Sequence, residues 1–443
     1  MIYYREAIDI FGRASRSAKG PRSSACICGS FIKNEVMMQL KKLEFKNKDG
    51  QTLAARLDLP VDGKPAAFAL FAHCFTCSKN TKAIAHISRA LTREGIAVLR
   101  FDFTGLGESE GDFADTNFSS NVDDLVIAAE FLKSDYQAPK ILIGHSLGGA
   151  AVIQAAGRIP SSKAVVTIAA PADPRHLTHA LGSALQTIQR HGEAEVNLAG
   201  RTFKIKKQFL DDLQFIHLKE TLKNLNKALL ILHSPVDETV AIENAAQIFQ
   251  AARHPKSFVS LDKADHLLSN PDDSLYAGSV IAAWAVRYIG AARQKEPENK
   301  AEDNRVITRI GKSELVTDIL AGGHRLVADE PISSGGSNLG PTPYDYLMSG
   351  LGACTAMTLR LYADRKDWPL DSVTVRLNQQ KIHAADCETC ETKEGRLDQI
   401  ERQIELEGAL DDQQKDRLLQ IANRCPVHRS LKSEIVIKTE LKK

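Results

Sequence analysis

The sequence predicts an α/β fold: a doubly wound, mostly parallel sheet, followed by a second, smaller domain. From Leu40 onward, short apolar runs alternate with helical segments, which is the pattern of a parallel sheet covered on both faces. The chain has 443 residues, more than a single hydrophobic core normally organises. A polar stretch near residue 300 then separates two regions of different texture.

The strands and helices of the first region can be placed from these apolar runs. Six strands are predicted, at Phe68–His73, Ala97–Asp102, Ile141–Gly144, Ala164–Ala169, Ala228–His233 and Lys256–Leu261. The main helices are predicted at Ala83–Glu94, Val122–Lys133 and Ile242–Ala252, with a closing helix around Ile281–Ala292. We expect this domain to span residues 37–292.

The overall composition excludes several classes of partner. Charged residues make up 25% of the chain and the formal net charge is +2, so no nucleic acid is expected. Ser279–Ala292 is the most apolar long segment, but it is shorter than the roughly 18 residues of a membrane span and contains Arg287. The eight cysteines are sparse, which favours free thiols in a cytoplasmic compartment over a disulfide scaffold.

Residues 1–36 have little apolar periodicity and are expected to be disordered. Basic residues lie among serines there, at Arg13, Arg16, Lys19 and Arg22. One interpretation is a transit-like presequence, although Glu6 and Asp9 argue against it. The alternative is a start codon assigned too far upstream, with initiation at Met37 or Met38.

A nucleophile elbow is the strongest functional signal. The apolar run that ends at Ile143 leads directly into Gly144-His145-Ser146-Leu147-Gly148, which has the GxSxG pattern, and then into small residues that begin a helix. Glycines on both sides of Ser146 allow the strained turn that exposes a serine hydroxyl. Ser146 is therefore the predicted nucleophile.

The partners of such a serine follow it along the chain in the order acid, then histidine. Asp237 comes just after the strand predicted at Ala228–His233, and His266 follows the next strand. We predict that Asp237 orients His266 and that His266 takes the proton of Ser146. The acids Glu238, Asp262 and Asp265 are assigned to surface or turn positions, and the histidines His73, His145 and His233 to packing or to lining the site.

Two backbone N–H groups are expected to stabilise the developing oxyanion. One belongs to Leu147, directly after the nucleophile, and the other to the loop after the first predicted strand. Phe75 is the predicted donor in that loop, with Cys74 as the alternative.

The run Arg100–Ser109, RFDFTGLGES, together with Gly144–Gly149, resembles the α/β-hydrolase superfamily, near its serine aminopeptidase-like and dienelactone hydrolase-like branches. The resemblance covers residues 40–290 and implies the α/β-hydrolase fold and a serine hydrolase. Cys74 departs from it, because many relatives have glycine after the histidine. The lid region at 172–226 is short, with a predicted hairpin at Val196–Ile205, which favours a small to medium acyl substrate in ester or thioester linkage.

The polar segment 293–305 is predicted to be a linker, and residues 306–443 a second domain with strands, a glycine-rich loop and a long helix. Two of its four cysteines, Cys354 and Cys425, are by residue type alone most typical of inert core positions. The segments Gly340–Leu347, LGAC ending at Cys354 and Cys425–His428 resemble the OsmC/Ohr family, the osmotically induced and organic hydroperoxide resistance proteins.

That resemblance implies an α+β domain that forms an intertwined homodimer. It also implies that Cys354 reduces an organic hydroperoxide, that Cys425 resolves the resulting sulfenic acid, and that a dithiol restores both. A cation beside the thiol is expected, with Arg309 and Arg325 as candidates. Tyr344 stands where Ohr-type members have glutamate, which favours the alternative of a non-catalytic dimerisation or binding domain.

A zinc site competes for Cys425. Cys387 and Cys390 form a CxxC pattern, and Cys425 and His428 form a CxxH pattern, which together contain the ligands of a tetrahedral zinc centre. The spacing between the two pairs is not that of a standard zinc finger. A redox CxxC or a solvent-exposed loop is favoured, and we expect neither a metal nor a cofactor.

Overall fold

The computed structural model describes residues 40–74, 78–182, 184–198, 201–290, 306–311, 315–383 and 395–441. The chain divides into two compact units. The N-terminal unit contains the described residues up to Arg309 together with Asp318–Leu326, and the C-terminal unit contains Ile310–Thr317 and Val327–Lys443. The predicted linker and residues 1–36 lie outside the described residues. In the described part of the chain, no helix combines the length and apolar character needed to cross a membrane.

The N-terminal unit is built on one large sheet. Its strands are β1 Leu40–Lys46, β2 Thr52–Asp58, β3 Ala67–Ala72, β4 Ile96–Phe101, β5 Ile141–His145, β6 Ala164–Ile168, β9 Ala228–His233 and β10 Lys256–Ser260. They are ordered β1-β2-β4-β3-β5-β6-β9-β10. Pairing is parallel from β4 to β10, while β1 and β2 add an antiparallel edge. This sheet confirms the predicted fold class.

Helices cover both faces of this sheet because its strands are apolar on both sides. The larger helices are α1 Lys82–Arg93, α2 Phe118–Asp135, α3 Leu147–Ala156, α8 Glu243–Ala251 and α9 Pro271–Ile289. Leu142 of β5 packs in a cluster with residues of α2, α3 and α8, whereas its neighbours Ile141 and Ile143 pack with residues of α1 and α9. Successive side chains of β5 therefore point to opposite faces of the sheet and pack into the two clusters that form the core.

Between β6 and β9 lies the predicted lid region. It contains α4 Leu177–Ala180, α5 Ala184–His191, the strands β7 Glu193–Leu198 and β8 Arg201–Lys206, and the helices α6 Lys207–Leu213 and α7 Leu218–Lys223. β7 and β8 pair antiparallel, which matches the predicted hairpin. The residues expected to form its turn, 199 and 200, lie outside the described residues.

Two helices begin earlier than predicted because polar residues cap them. α2 begins at Phe118 rather than Val122, since Asn117 and Ser120 form a reciprocal capping box at its start. α9 begins at Pro271 rather than near Ile281, because the side chain of Asn270 accepts the N–H of Asp272. The hairpin of β1 and β2 was not predicted.

The C-terminal unit has a small core around one long helix. The elements after residue 306 are β11 Ile307–Ile310, β12 Thr317–Ala321, β13 His324–Ala328, α10 Pro343–Arg365, β14 Leu370–His383, β15 Arg396–Gly408, α11 Asp412–Ala422 and α12 Pro426–Lys432. Most residues of β11, β12 and β13 belong to the N-terminal unit, and the later elements belong to the C-terminal unit. Leu359 of α10 and Leu418 of α11 are fully buried in its core cluster. In the predicted glycine-rich loop, the buried Asp329 accepts the N–H groups of Ser337 and Leu339.

Candidate functional site

The elbow around Ser146 is a tight turn between β5 and α3. Ser146 has φ 55° and ψ −126°. A positive φ is strained for residues other than glycine. A Cβ atom on Gly148 would lie 2.5 Å from the carbonyl oxygen of Ala72, and one on Gly144 would lie 2.2 Å from that of Gly148. Both glycines are therefore required by close backbone approach.

The structure brings Ser146, His266 and Asp237 together at the ends of three strands. His266 Nε2 lies 2.9 Å from Ser146 Oγ, and His266 Nδ1 lies 2.8 Å from Asp237 Oδ2. The serine follows β5, the aspartate follows β9, and the histidine follows β10. This is the geometry in which a carboxylate orients an imidazole that contacts a hydroxyl.

Asp237 is fixed by its own loop as well as by His266. Its Oδ1 atom accepts the N–H groups of Thr239 at 2.8 Å and Val240 at 2.9 Å. Burial raises its pKa, but the hydrogen bonds from His266 and from the backbone outweigh this and leave the pKa below its ordinary value. Asp237 is therefore a carboxylate at neutral pH.

The other acids near Asp237 in the sequence are not the partner of His266 in the structure. Asp262 and Glu238 are exposed, and Asp265 Oδ1 accepts the N–H groups of Leu267 and Ser269 within a turn.

Two further histidines support this site through the backbone. His145 donates from Nε2 to the carbonyl oxygen of His266 at 2.6 Å, and His233 donates from Nε2 to that of Val240 at 2.7 Å. Burial, aided by His266, lowers the pKa of His145 to about 3, so its ring is neutral. The sequence alone gave no indication of these hydrogen bonds, because each joins a histidine at the end of a strand to a backbone carbonyl whose position depends on how a loop folds.

Of the predicted oxyanion donors, one can be placed. Leu147 is the first residue of α3, where backbone N–H groups have no partner within the helix. Phe75 lies outside the described residues. Cys74 is buried, its carbonyl oxygen accepts from His73 Nδ1 at 2.6 Å, and it is disulfide-bonded. The expectation of free thiols is therefore wrong for Cys74 and right for Cys354 and Cys425.

Comparison with known families gives one match in each half of the chain. The sequence model described as "Serine aminopeptidase, S33" matches residues 63–198, and the one described as "OsmC-like protein" matches residues 335–440. Among solved structures, the esterase domain of a Rhodothermus marinus protein is 59% identical, covers 57% of this chain and 100% of its own, and superposes with a TM-score of 0.50.

The chain is an α/β hydrolase fused to an OsmC-like domain. Est1E of Butyrivibrio proteoclasticus, solved with ferulic acid, shares the hydrolase fold at 22% identity, with 56% of this chain and 99% of that one covered and a TM-score of 0.51.

Curated relatives match parts of the hydrolase. Rat (Rattus norvegicus) monoglyceride lipase is 32% identical over 26% of this chain, and mouse (Mus musculus) mitochondrial palmitoyl-protein thioesterase ABHD10 is 29% identical over 40%. These matches span 38% and 62% of the two relatives' lengths.

In the described part of the OsmC-like domain, two free thiols lie close to Thr355. Cys354 is half-buried on α10, and Cys425, immediately before α12, is fully buried. The hydroxyl of Thr355, the residue after Cys354, lies 3.7 Å from Cys425 Sγ, which also accepts the N–H of His428 at 3.3 Å. Both thiols therefore belong to one region of the domain.

Arg402 is a cation that contacts this region, and the sequence did not reveal it. Its guanidinium donates to Thr355 Oγ1 at 3.0 Å, to the carbonyl oxygen of Ala422 at 3.2 Å and to Asn423 Oδ1 at 2.7 Å. The earlier candidates belong to the N-terminal unit, where Arg325 pairs with Asp62 at 3.1 Å. Arg402 lies on β15, a strand that the sequence analysis did not predict.

Residue 344, where this chain departs from the Ohr pattern, is a tyrosine, and no neighbouring carboxylate takes over the role of the Ohr glutamate. Tyr344 lies in the first turn of α10 with 43% of its surface exposed. The neighbouring Asp345 is used for capping, because its carboxylate accepts the N–H and the hydroxyl of Thr342. Cys387 and Cys390 lie outside the described residues, so the zinc alternative that involves His428 stays a prediction.

Proposed function

We propose that the hydrolase domain is a serine esterase that cleaves esters or thioesters of small to medium acyl groups. The observation that carries this proposal is the chain of contacts from Ser146 Oγ through His266 to Asp237, at 2.9 and 2.8 Å. A hydroxyl becomes nucleophilic when such a base removes its proton, and an ionised carboxylate stabilises the imidazolium that results.

The proposed reaction has two steps. Ser146 attacks the acyl carbon while His266 takes its proton, and His266 then gives that proton to the leaving alcohol or thiol. A water activated by His266 hydrolyses the acyl-enzyme in the same way. The N–H groups of Leu147 and Phe75 would bind the oxyanion in both steps, each contributing on the order of a hundredfold to a thousandfold in rate.

The proposed substrate class draws on the relatives. A monoglyceride lipase, a palmitoyl-protein thioesterase and an esterase domain are among the proteins that this chain resembles, and all three names denote cleavage of an ester or thioester. The small lid region between β6 and β9 favours acyl groups of modest size.

Substitution of the nucleophile tests this proposal. We expect Ser146→Ala to lower kcat for p-nitrophenyl butyrate by at least about a thousandfold while the protein stays folded. Ser134→Ala, an exposed serine near the end of α2, is the matched control and should keep wild-type activity. Retained turnover in Ser146→Ala would refute the mechanism, and a series of p-nitrophenyl esters and acyl thioesters would define the acyl range.

For the OsmC-like domain, we propose thiol-dependent reduction of organic hydroperoxides. The supporting observation is that Thr355, next to Cys354, contacts Cys425 Sγ beside the guanidinium of Arg402. The Cys354 thiolate would attack the peroxide oxygen to give an alcohol and a sulfenic acid. Cys425 would then form a disulfide and release water, and an external dithiol would reduce it.

Intact mass with peptide mapping, before and after one equivalent of cumene hydroperoxide, tests this activity. A Cys354–Cys425 disulfide is expected in the wild type, and a trapped sulfenic acid on Cys354 in Cys425→Ser. If Cys354→Ser consumed the peroxide as fast as the wild type, the thiol mechanism would be wrong.

The alternative is a non-catalytic domain that pairs two hydrolases. Tyr344 in place of the glutamate of Ohr-type members favours it. In either case we propose a homodimer, and light scattering after gel filtration of the full chain should give about twice the monomer mass. Dimers whose thiols are inert to hydroperoxide would select the alternative.

A further inference from the structure

An open cavity lies beside the thiol region of the OsmC-like domain, and neither proposed activity assigns a role to it. Its volume is about 470 Å³. Its walls are formed by α12 and by the chain on either side of that helix, at Asn423, His428, Arg429, Lys432 and Ser433. All five residues belong to the C-terminal unit, so one compact part of one chain forms this α12 cavity.

Hydrogen bonds connect the walls of the α12 cavity to the thiol region. The backbone N–H of His428 donates to Cys425 Sγ at 3.3 Å, and Asn423 Oδ1 accepts from the Arg402 guanidinium at 2.7 Å. The same guanidinium donates to the hydroxyl of Thr355, which lies 3.7 Å from Cys425 Sγ. A ligand held in the cavity would therefore lie beside the region that contains both free thiols.

The charges around the α12 cavity are positive. The segment 424–433 contains Arg424, Arg429 and Lys432 and no acidic residue. Arg429 and Lys432 line the cavity and are exposed. In the described part of the chain, no ion pair joins either of these two side chains to a carboxylate. Their charges are therefore available to a ligand.

The effect of these charges is seen at His428. Burial lowers the pKa of His428, and the charges of Arg402 and Lys432 lower it further. No carboxylate of the described residues raises it. The imidazole is therefore neutral at pH 7, and the cavity that it lines has a positive potential, which attracts anions.

The hydrolase of the same chain would produce one class of anion at every turnover. Cleavage of an ester or thioester releases a carboxylic acid, which is ionised at neutral pH because carboxyl groups have a pKa of about 4. Where the acyl group carries a hydroperoxide, the released acid has both a carboxylate for a cationic cavity and an O–O bond for a thiol. Both halves of the chain can thus act on one acyl group.

We propose that the α12 cavity binds the carboxylate of an organic hydroperoxide through Arg429 and Lys432, and that the OsmC-like domain reduces hydroperoxy acids that the hydrolase releases from their esters. The inference rests on the two proposed functions. The Cys354 thiolate attacks the outer peroxide oxygen and breaks the O–O bond, which leaves a sulfenic acid and, with a proton from solvent, a hydroxy acid. Cys425 then forms the disulfide with loss of water, and an external dithiol is oxidised to restore both thiols.

The test uses two hydroperoxides that differ in one charge, namely cumene hydroperoxide with a para-carboxylate and the methyl ester of that compound. Both are assayed with dithiothreitol as reductant in the full-length Ser146→Ala chain, so that the hydrolase leaves the ester intact. We expect kcat/KM to be about three- to tenfold higher for the acid, because two exposed ion pairs contribute modestly to binding. A ratio below about twofold would overturn the proposal.

Substitution of the two cations locates the effect. Arg429→Gln combined with Lys432→Gln should lower kcat/KM for the acid about three- to tenfold and leave the value for the ester within about twofold. Arg365→Gln combined with Lys366→Gln is the matched control, because it removes the same charge from exposed positions at the end of α10 and should keep the preference for the acid. An equal loss in both double variants would mean that long-range charge, and not the cavity, selects the acid, and would overturn the proposal.

Competition separates a site for organic carboxylates from a site for any anion. The para-isopropylbenzoate ion has the ring and the carboxylate of the acid but no peroxide, so it should inhibit consumption of the acid competitively. Inorganic phosphate at the same ionic strength should inhibit at least about tenfold more weakly, because it has no apolar part to bury. Equal inhibition by phosphate would overturn the assignment to a hydroperoxy acid.

These outcomes distinguish the inference from the functions on which it rests. If the wild-type chain consumed neither hydroperoxide, the proposed thiol function would be refuted together with the inference. Consumption of the acid and the ester at equal rates would refute only the inference. If the wild-type chain cleaved no ester, the proposed source of the hydroperoxy acid would be refuted together with the esterase function.

Discussion

The two domains of this chain differ in how completely a single copy buries its own strands. In the hydrolase, every residue of β3, β4, β5, β6 and β9 is buried. In the OsmC-like domain, the long strands β14 and β15 alternate half-buried and exposed residues along nearly their whole length. Its helix α10 also exposes apolar side chains, at Leu347, Met357 and Leu361.

This difference in strand burial affects how each domain can position its candidate site. The hydrolase brings Ser146, Asp237 and His266 together on a sheet that one copy completes. A two-stranded ribbon such as β14–β15 is marginal by itself and needs a further packing surface. We therefore expect the proposed esterase activity to be independent of oligomeric state and the proposed thiol chemistry to depend on it.

The largest expected effect concerns the orienting carboxylate. Asp237→Asn should lower kcat by roughly 10⁴, with KM little changed, because an amide at this position favours the wrong tautomer of His266. Steady-state kinetics with p-nitrophenyl butyrate measures this. Asp265→Asn, in the neighbouring turn, should stay close to wild type, and equal losses in the two variants would contradict the assignment of Asp237.

Core truncations test whether the two domains are independently stable. Leu142→Ala in the hydrolase and Leu359→Ala in the OsmC-like domain each remove a fully buried side chain. Each should lower the free energy of unfolding of its own domain by about 2–5 kcal/mol.

The chain has two tryptophans, and each domain contains one of them, Trp284 and Trp368. In a Trp284→Phe background, tryptophan fluorescence during a urea titration reports the unfolding of the OsmC-like domain. In a Trp368→Phe background, it reports the unfolding of the hydrolase. A shift of both transitions by either leucine variant would show that the domains unfold together.

A pH effect is expected in the hydrolase at Asp124. Burial raises its pKa from 3.8 to about 6, against the opposing hydrogen bonds from Thr104. The pKa of Asp124 is higher in the folded than in the unfolded state. Its favourable contribution to the free energy of unfolding is therefore complete below about pH 4 and is lost as the pH rises through 6.

Asp124→Asn should therefore be more stable than the wild type by about 3 kcal/mol at pH 8 and equal to it at pH 4. Urea titrations followed at Trp284 measure this difference. A constant difference across this pH range would show that Asp124 does not titrate as described.

The smallest effect is expected at His145. His145→Phe keeps a ring but removes the hydrogen bond to the carbonyl oxygen of His266, which should lower kcat by about three- to tenfold. His145→Gln can restore a donor and should recover part of the loss. If both variants matched the wild type, the hydrogen bond would not contribute to positioning His266.

The sequence predicted the hydrolase site better than the thiol region because of where their residues lie. Ser146 and Asp237 each follow a fully buried apolar strand, and His266 follows the next predicted strand, so their place at one edge of the sheet could be inferred. Arg402 lies among charged and half-exposed residues of β15, which carry no comparable apolar run. The early start of α2 was missed because it depends on a hydrogen-bonded pair, Asn117 and Ser120, and not on periodicity.

The glycines of the elbow also constrain how the hydrolase domain can change under selection. Gly144 and Gly148 lie against backbone atoms, and a backbone cannot shrink to accommodate a new side chain. A library of random substitutions should return almost no active variants at these two positions. For the proposed esterase, we expect new acyl specificities to arise in the segment between β6 and β9, because substitutions there leave the backbone around Ser146 in place.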